Sequence, residues 1–246
     1  MTRQEFLARI RSEVRRSPGR FAASVSERPA RPGLVAETLR RELSERWPET
    51  LERFRREFER VGGAFHRVAT IDDAAGEVRR IAAAHGARRI VTWHPEALGA
   101  DLGSALAAGG LAVEAMPPGA LGAGGERSAL RARIAEGDLG VTGADLAIAE
   151  TGTLVLVSGA GRPRSTALLP PCHVAVLDRG ALVESLQQAG IFLEAWHDGE
   201  PAAWRGAAIH FVTGPSRTAD IELTLTRGVH GPRDVHAVFV ETPFRG

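Results

Sequence analysis

The sequence predicts an α/β protein with a mostly parallel central sheet and a helical N-terminal extension. Two observations lead to this class. Helical apolar periodicity runs through the first 64 residues, and from there short apolar runs alternate with helical patterns. The chain has 246 residues and is 43% hydrophobic, which is enough for a complete core. We therefore predict a helical extension over residues 1–64 and an α/β domain over residues 65–246.

The extension carries apolar residues at helical spacing, as in Phe6, Ile10 and Val14. We predict helices over residues 1–16, 34–47 and 51–61, with a linker rich in Pro, Ser, Ala and Arg after the first. Residues 1–64 hold 15 Arg against 10 acidic residues. Because these arginines are interleaved with glutamates, a solvated helical face explains the excess charge, with a docking arm as the alternative.

The α/β domain is expected to open with a strand over residues 65–69 and a helix over residues 72–85 that Thr70 caps. Short apolar runs mark the later strands. They lie at residues 89–93, 111–116, 148, 154–157, 174–177, 209–213 and 235–240. Helices are predicted over residues 126–136, 182–188 and 217–227. Strands and helices that alternate in this way favour a parallel sheet with helices on both faces.

Three residue types are absent: the chain has no Lys, Tyr or Asn. A Schiff-base lysine, a P-loop lysine and a catalytic tyrosine are therefore excluded. Apart from histidine, all positive side-chain charge comes from Arg, whose planar group suits carboxylate or phosphate recognition. Aromatic residues are only 5% of the chain and do not interleave with a basic patch, so nucleic-acid binding is disfavoured.

The chain contains one cysteine, Cys172, which excludes an internal disulfide, a self-held iron–sulfur cluster and a Cys-rich zinc site. The eight histidines show no close sequence clustering, so no metal site is expected. No signal-peptide pattern opens the chain, and no apolar run approaches transmembrane length. We expect a cytoplasmic protein without a membrane span.

An anion-binding segment is predicted where an apolar run ends at residue 213. A helical pattern then runs to Gly228. A strand that ends in a glycine before a helix N-terminus presents free N–H groups and a favourable dipole to an anion. The residues expected to bind a small anionic ligand here are Thr213, Gly214, Ser216, Arg217 and Thr218.

A second candidate segment lies between two strand-like runs, at Glu150, Thr151 and Gly152. Glu150 is a candidate general base or nucleophile, and the alternative is a turn residue that caps nearby N–H groups. The small residues beside it allow close backbone approach, so Thr151 and Gly152 are predicted to contact the ligand. Arg162 and Arg164 are candidates to clamp a carboxylate or phosphate, or else they form a solvated loop, and we predict ligand contact at Arg164.

Two histidines are the best acid or base candidates, His173 before an apolar run and His230 in a Gly-Val-His-Gly-Pro segment. A hydrogen-bonded structural imidazole is the favoured role for His173. The predicted catalytic residues are therefore His230 and Glu150.

These segments resemble the LUD-domain family. The resemblance rests on residues 150–153, 168–173, 214–222 and 228–232, in the family's order. It implies the three-layer α/β fold of the sugar-phosphate isomerase and CoA-transferase-like group. It also implies a cytoplasmic component of an L-lactate oxidation system that converts lactate to pyruvate. Partner subunits would hold the iron–sulfur clusters, while this chain would hold no cofactor and bind a small carboxylate or phosphate.

One composite site is expected from the two candidate segments. Residues 150–152 and 214–218 each follow an apolar run. Because ligands of open α/β sheets bind beyond the carboxyl ends of the strands, we expect both segments to reach that edge of the sheet.

Two other functions remain open from the residues. One is a stand-alone enzyme of acyl or phosphate-ester chemistry, with Glu150 as nucleophile or base and Arg217 as anion clamp. The other is a regulatory module that binds an organic acid and catalyses nothing.

Overall fold

The computed structural model describes residues 2–16, 29–119, 125–198, 205–219 and 225–244. The helices are α1 (Arg3–Arg16), α2 (Pro32–Glu45), α3 (Trp47–Arg60), α4 (Ile71–Ala84), α5 (Pro95–Leu98), α6 (Leu102–Ala108), α7 (Gly125–Ala135), α8 (Ser165–Leu168) and α9 (Leu186–Trp196). The strands are β1 (Ala64–Val68), β2 (Arg89–Thr92), β3 (Ala112–Ala115), β4 (Leu139–Gly143), β5 (Leu146–Ile148), β6 (Thr153–Gly159), β7 (Cys172–Asp178), β8 (Leu182–Val183), β9 (Arg205–Val212), β10 (Arg217–Ala219), β11 (Leu225–Arg227) and β12 (Asp234–Val240).

The central sheet has six strands in the order β1-β12-β7-β4-β2-β3, and every neighbouring pair is parallel. Every residue of β4 and β7 is buried. Such strands read as continuous apolar runs because helices cover both faces of a parallel sheet.

Helices cover the two faces of the central sheet. On one face, Val78 and Ile81 of α4 share a core with Ile90 of β2. On the other, Leu130 and Ile134 of α7 pack with Val91, the next residue of the same strand. Successive side chains of a strand point to opposite faces, so one short strand serves both layers. The predicted fold class, an α/β protein with a mostly parallel central sheet, is confirmed.

A second sheet departs from the prediction of one sheet. Strands β8-β5-β6-β9 form it, with β5 and β6 joined as an antiparallel hairpin. The chain leaves the central sheet at the end of β4 and enters β5 three residues later. Strand β4 is also absent from the predicted strands, because its Leu-Gly-Val-Thr-Gly sequence has few bulky residues to mark it.

Two helices of the N-terminal extension, α2 and α3, pack on the α/β body. In α3, Leu51, Phe54 and Phe58 are fully buried within the main core. Trp47 stacks on Phe239 of β12 with ring centroids 5.7 Å apart. The guanidinium of Arg40 on α2 lies 4.7 Å from the ring centroid of Phe192 on α9, so an arginine of this basic segment packs against the body of the protein.

Two predicted helices are wrong in part or in whole. The predicted helix at 182–188 begins instead at Leu186, because Leu182–Val183 forms β8 and the Ser185 side chain caps α9 by accepting a hydrogen bond from Gln188 N at 3.2 Å. The predicted helix at 217–227 is an antiparallel ribbon of β10 and β11 in its described parts, and residues 220–224 lie outside them. Apolar and polar residues alternate here from 218 to 226, which is a strand pattern.

Within the described ranges, no helix combines the length and apolar character needed to cross a bilayer.

Candidate functional site

The structure brings the two predicted ligand segments together through three threonines. The Thr153 hydroxyl lies 2.7 Å from the Thr151 hydroxyl and 2.8 Å from the Thr213 hydroxyl. We call Thr151, Thr153 and Thr213 the threonine cluster. It joins the β5–β6 turn to the end of β9 in the second sheet. The expectation that these segments reach the carboxyl edge of the central sheet is therefore wrong, although the two segments do lie close together.

The end of α3 occupies the space beside both predicted glycines. A β-carbon on Gly152 would lie 2.3 Å from Phe58 N, and one on Gly214 would lie 2.5 Å from Val61 O. Both glycines have positive φ, 61° and 75°, which only glycine adopts at little cost. In this structure the close backbone approach serves helix packing.

Arg217 and Ser216 make local contacts in the same region. The Arg217 guanidinium donates to Val61 O at 2.6 Å. The Ser216 hydroxyl accepts from His230 N at 3.2 Å, and Ser216 O accepts from Gly228 N at 3.0 Å. Because β10 starts at residue 217, the predicted helix N-terminus and its dipole do not exist at this site. The side chain of Thr218 lies outside the described part of the chain.

The other predicted site residues occupy separate positions. Glu150 is exposed, and its carboxylate accepts from Leu186 N at 3.0 Å, which caps α9. Arg164 is exposed in the residue before α8, and His230 is exposed in the loop before β12. His173 is fully buried, with its Nε2 2.8 Å from the Thr142 hydroxyl, and burial lowers its pKa to about 3. His173 is thus the structural imidazole that the sequence favours, and a role for Glu150, Arg164 or His230 in catalysis or ligand binding stays a prediction.

The strand order of the central sheet identifies another position for a ligand. The next strand of the central sheet after β2 is β3, on one side, whereas the next one after β4 is β7, on the other side. Ligands of open parallel sheets bind at such a switch point, beyond the carboxyl ends of the two strands. Here those ends lead into Trp93 and His94 after β2, and into Asp145 after β4.

A cavity of about 320 Å³ opens at this switch point. We call it the switch-point cavity, and the described residues that line it are His94, Glu96, Ala97, Pro118, Ala160 and Arg162. The loop after β6 closes one side, because His94 N donates to Gly161 O at 2.8 Å. The volume lies at the small end of the range for ligand pockets, which suits a small metabolite.

The guanidinium of Arg162 is held on two sides at the cavity wall. It donates to Asp145 Oδ1 at 2.5 Å and lies 4.7 Å from the ring centroid of Trp93. The other Asp145 oxygen accepts from Val157 N at 2.7 Å. Arg162 is only 6% exposed, so its position is set before any ligand arrives. A preorganised guanidinium at a cavity wall is suited to bind a carboxylate or phosphate.

His94 supplies a second polar group at the cavity. It is the N-cap of α5, and its Nδ1 accepts from Glu96 N at 3.4 Å. A neutral imidazole whose Nδ1 accepts carries its proton on Nε2. The ring can therefore donate a hydrogen bond through Nε2.

Arg162 and His94, two polar groups at the cavity, do not belong to the predicted ligand set. The sequence offers Arg162 and Arg164 as possible clamps and predicts ligand contact at Arg164, and it places His94 at the start of a turn. The signal for His94 was its place two residues after a parallel strand. The signal for Arg162 was weaker, since pairing it with Asp145 requires the tertiary fold.

The fold is that of an α/β protein with a small cavity at the switch point of a parallel sheet. The chain belongs to the LUD domain family, whose sequence pattern matches residues 51–240. The match begins inside α3 and spans the whole central sheet.

The alignments with individual relatives cover less than half of the chain. The chain is 41% identical over 119 residues to lactate utilization protein C of Halalkalibacterium halodurans, covering 48% of this chain and 49% of that protein. It is 39% identical over 98 residues to the uncharacterized protein NMB1437 of Neisseria meningitidis serogroup B, covering 40% of each. The aligned part thus spans about half or less of the length of these relatives.

A solved structure supports the fold. The chain resembles the crystal structure of a DUF162 family protein from Deinococcus radiodurans with a TM-score of 0.52 and 21% sequence identity. The similarity covers 78% of this chain and 97% of the Deinococcus chain.

Proposed function

We propose that this chain takes part in lactate utilization by binding a small carboxylate in the switch-point cavity, as one component of a cytoplasmic lactate-oxidising assembly. The observation that carries the ligand site is the position of Arg162, fixed by Asp145 beside His94 where β2 and β4 end. The named function of the lactate utilization protein C relatives supports the substrate class.

The chemistry of lactate oxidation explains why this proposal assigns substrate binding to this chain and electron acceptance to partner subunits. Conversion of lactate to pyruvate releases two electrons and two protons. One cysteine cannot provide the thiolate ligands of an iron–sulfur cluster, so partner subunits would accept the electrons. Arg162 would hold the carboxylate and the His94 ring would hydrogen-bond the oxygen on the adjacent carbon.

Binding to the isolated chain tests the ligand site. Isothermal titration with L-lactate and with pyruvate should give saturable binding to the wild-type chain. Arg162→Lys should weaken it at least about tenfold, because Lys cannot reproduce the planar fork. Arg133→Lys is the matched control, since Arg133 is an exposed arginine that pairs with Glu114 on another part of the surface. If Arg217→Gln abolishes binding and Arg162→Lys does not, the ligand site lies at the threonine cluster instead.

The assembly is tested by purification of the tagged chain from its native cytoplasm under anaerobic conditions. Co-elution with coloured iron–sulfur proteins and lactate-dependent dye reduction would support the proposed complex. A chain that elutes alone and turns over acyl or phosphate esters would instead be a stand-alone enzyme. A chain that binds organic acids without turnover or partners would be a regulatory module.

A further inference from the structure

The amino end of the central sheet carries a cluster of side chains that the proposed function does not use. His66 comes from β1, His236 from β12, Cys172 from the start of β7, and His85 caps the end of α4. We call these four residues the histidine cluster. One nitrogen each of His85 and His236 and the Cys172 sulfur lie within 4.8 Å of one another.

A chain of hydrogen bonds determines which nitrogen of His236 carries a proton. His66 Nδ1 lies 2.6 Å from Glu77 Oε1, and a carboxylate can only accept, so this nitrogen carries the proton of the neutral ring. His66 Nε2 must then accept from His236 Nδ1, which is 3.0 Å away. An imidazole that binds a metal ion is neutral, and in that form His236 carries its one proton on Nδ1.

The Nε2 atom of His236 is therefore left with a lone pair, and it lies 3.2 Å from Nε2 of His85. His85 Nδ1 lies 3.7 Å from a carboxylate oxygen of Asp234, which is beyond hydrogen-bond distance, but the nearby negative charge favours a proton on that nitrogen and a second lone pair on Nε2. Two imidazole nitrogens that share a tetrahedral zinc ion at about 2.05 Å stand about 3.3 Å apart. The spacing of the two rings thus matches that of two zinc ligands.

We propose that His85, Cys172 and His236 bind a divalent transition-metal cation of the zinc class, with His66 and Asp234 orienting the two imidazoles. Nitrogen and thiolate donors are the set that zinc prefers, and a hydrogen-bond partner on the outer nitrogen commonly orients a ligating imidazole, as His66 does for His236. Cys172 and His236 are buried, whereas the His85 side chain is 30% exposed. An ion can therefore reach the site from the His85 side, where water would complete a tetrahedral set. This site is separate from the switch-point cavity, and the proposal does not depend on lactate.

Metal titration of the full chain, produced without a histidine tag and stripped with a chelator, tests the proposal. Zn²⁺ titrated by calorimetry should bind with one ion per chain. Co²⁺ should give visible bands of a tetrahedral site and a near-ultraviolet thiolate-to-cobalt band. Cys172→Ser should remove the thiolate band, and His85→Gln and His236→Gln should each weaken binding at least about tenfold. The control is His197→Gln, since His197 is exposed at the end of α9.

His85→Gln is the decisive variant, because His85 lies on the surface and its replacement leaves the core intact, which circular dichroism will verify. Weaker Zn²⁺ binding in that folded variant, together with a thiolate band in the wild type, establishes the site. Absence of the thiolate band, or Zn²⁺ binding that both His85→Gln and His236→Gln leave unchanged, overturns the proposal.

Discussion

Gly152 lies directly against the backbone of Phe58, so that a β-carbon on Gly152 would stand 2.3 Å from the Phe58 amide nitrogen. This contact joins the turn between β5 and β6 to the buried helix α3. It is one of the points at which the second sheet and the N-terminal helices meet, since Ala36 and Leu43 of α2 also share a core with Leu146 of β5. A side chain on Gly152 would force the β5–β6 turn away from α3.

We expect Gly152→Ala to lower the free energy of unfolding by about 3 kcal/mol, of which about 1 reflects the positive φ and the rest the clash with α3. Urea unfolding measures the change. Gly86→Ala is the matched control, because Gly86 has a similar φ of 63° and a β-carbon there would meet no atom within 4 Å. The packing explanation is refuted if the two variants lose the same stability.

The ion pair between Arg162 and Asp145 is expected to stabilise the fold far more than an exposed pair. Their side chains are 8% and 12% exposed, and Asp145 also binds Val157 N. Asp145→Ala should lower the free energy of unfolding by about 3 kcal/mol because it leaves a buried guanidinium without its carboxylate. Glu241→Ala breaks the Arg67–Glu241 pair, whose side chains are 46% and 44% exposed, and should cost less than about 1 kcal/mol. Thermal and urea unfolding measure the free energy of unfolding of both variants. Equal losses of stability in the two variants would contradict this interpretation.

Because of Asp138, part of the free energy of unfolding is expected to depend on pH in the acid range. One of its carboxylate oxygens accepts from Arg88 N and Arg89 N, both at 2.8 Å, and these backbone bonds hold the pKa of Asp138 below its usual 3.8. A depressed carboxyl pKa stabilises the fold above the unfolded pKa, and this stability is lost as the pH falls through the folded value.

Asp138→Asn should therefore cost about 1 kcal/mol at pH 7, and the difference from wild type should shrink as the pH falls below about 4. Urea unfolding across this range measures it. Glu136→Gln, two residues away, removes the exposed pair with Arg89 and should have little effect at any pH. A loss in Asp138→Asn that does not vary with pH would show that the charge is not responsible.

Two substitutions of Glu150 can separate its predicted catalytic role from its hydrogen bond to α9. Glu150→Gln keeps an oxygen that can accept from Leu186 N, so the free energy of unfolding should stay within about 0.5 kcal/mol of wild type. Glu150→Ala removes the acceptor and should cost about 1 kcal/mol. If Glu150 is a base or nucleophile, Glu150→Gln will abolish turnover in the reconstituted system while stability is retained. Full activity in Glu150→Gln would leave only the capping role.

Most strands and helices of the central sheet could be predicted from the sequence because their signals are local, although β4 was not among them and the strand order could not be predicted. The sequence predicts Thr70 as a helix cap, and in the structure Thr70 forms a capping box with Asp73 at the start of α4. The apolar runs at β7 and β12 are buried on both sides and so appear as unbroken hydrophobic stretches. The ribbon of β10 and β11 was missed although its alternation is visible, because the Gly-Pro-Ser segment before it also resembles a helix start.

The candidate sites depended on contacts between distant segments. Thr153 and Thr213 are 60 residues apart, and His66 and His236 are 170 apart, yet each pair lies within 3.0 Å. A search for closely spaced histidines could not find the histidine cluster, since four different elements supply its members.

The sequence by itself determined the fold class, the family, the excluded residue chemistries and the apolar faces that build the core, because periodicity, composition and motif order are properties of the chain. Only the tertiary structure decided where Arg162 meets Asp145, why Gly152 has no side chain, and which imidazoles face each other. Those relationships follow from the order of the parallel strands and the path of α3 across the second sheet. That order is set by packing between elements far apart in the chain, which no local pattern records.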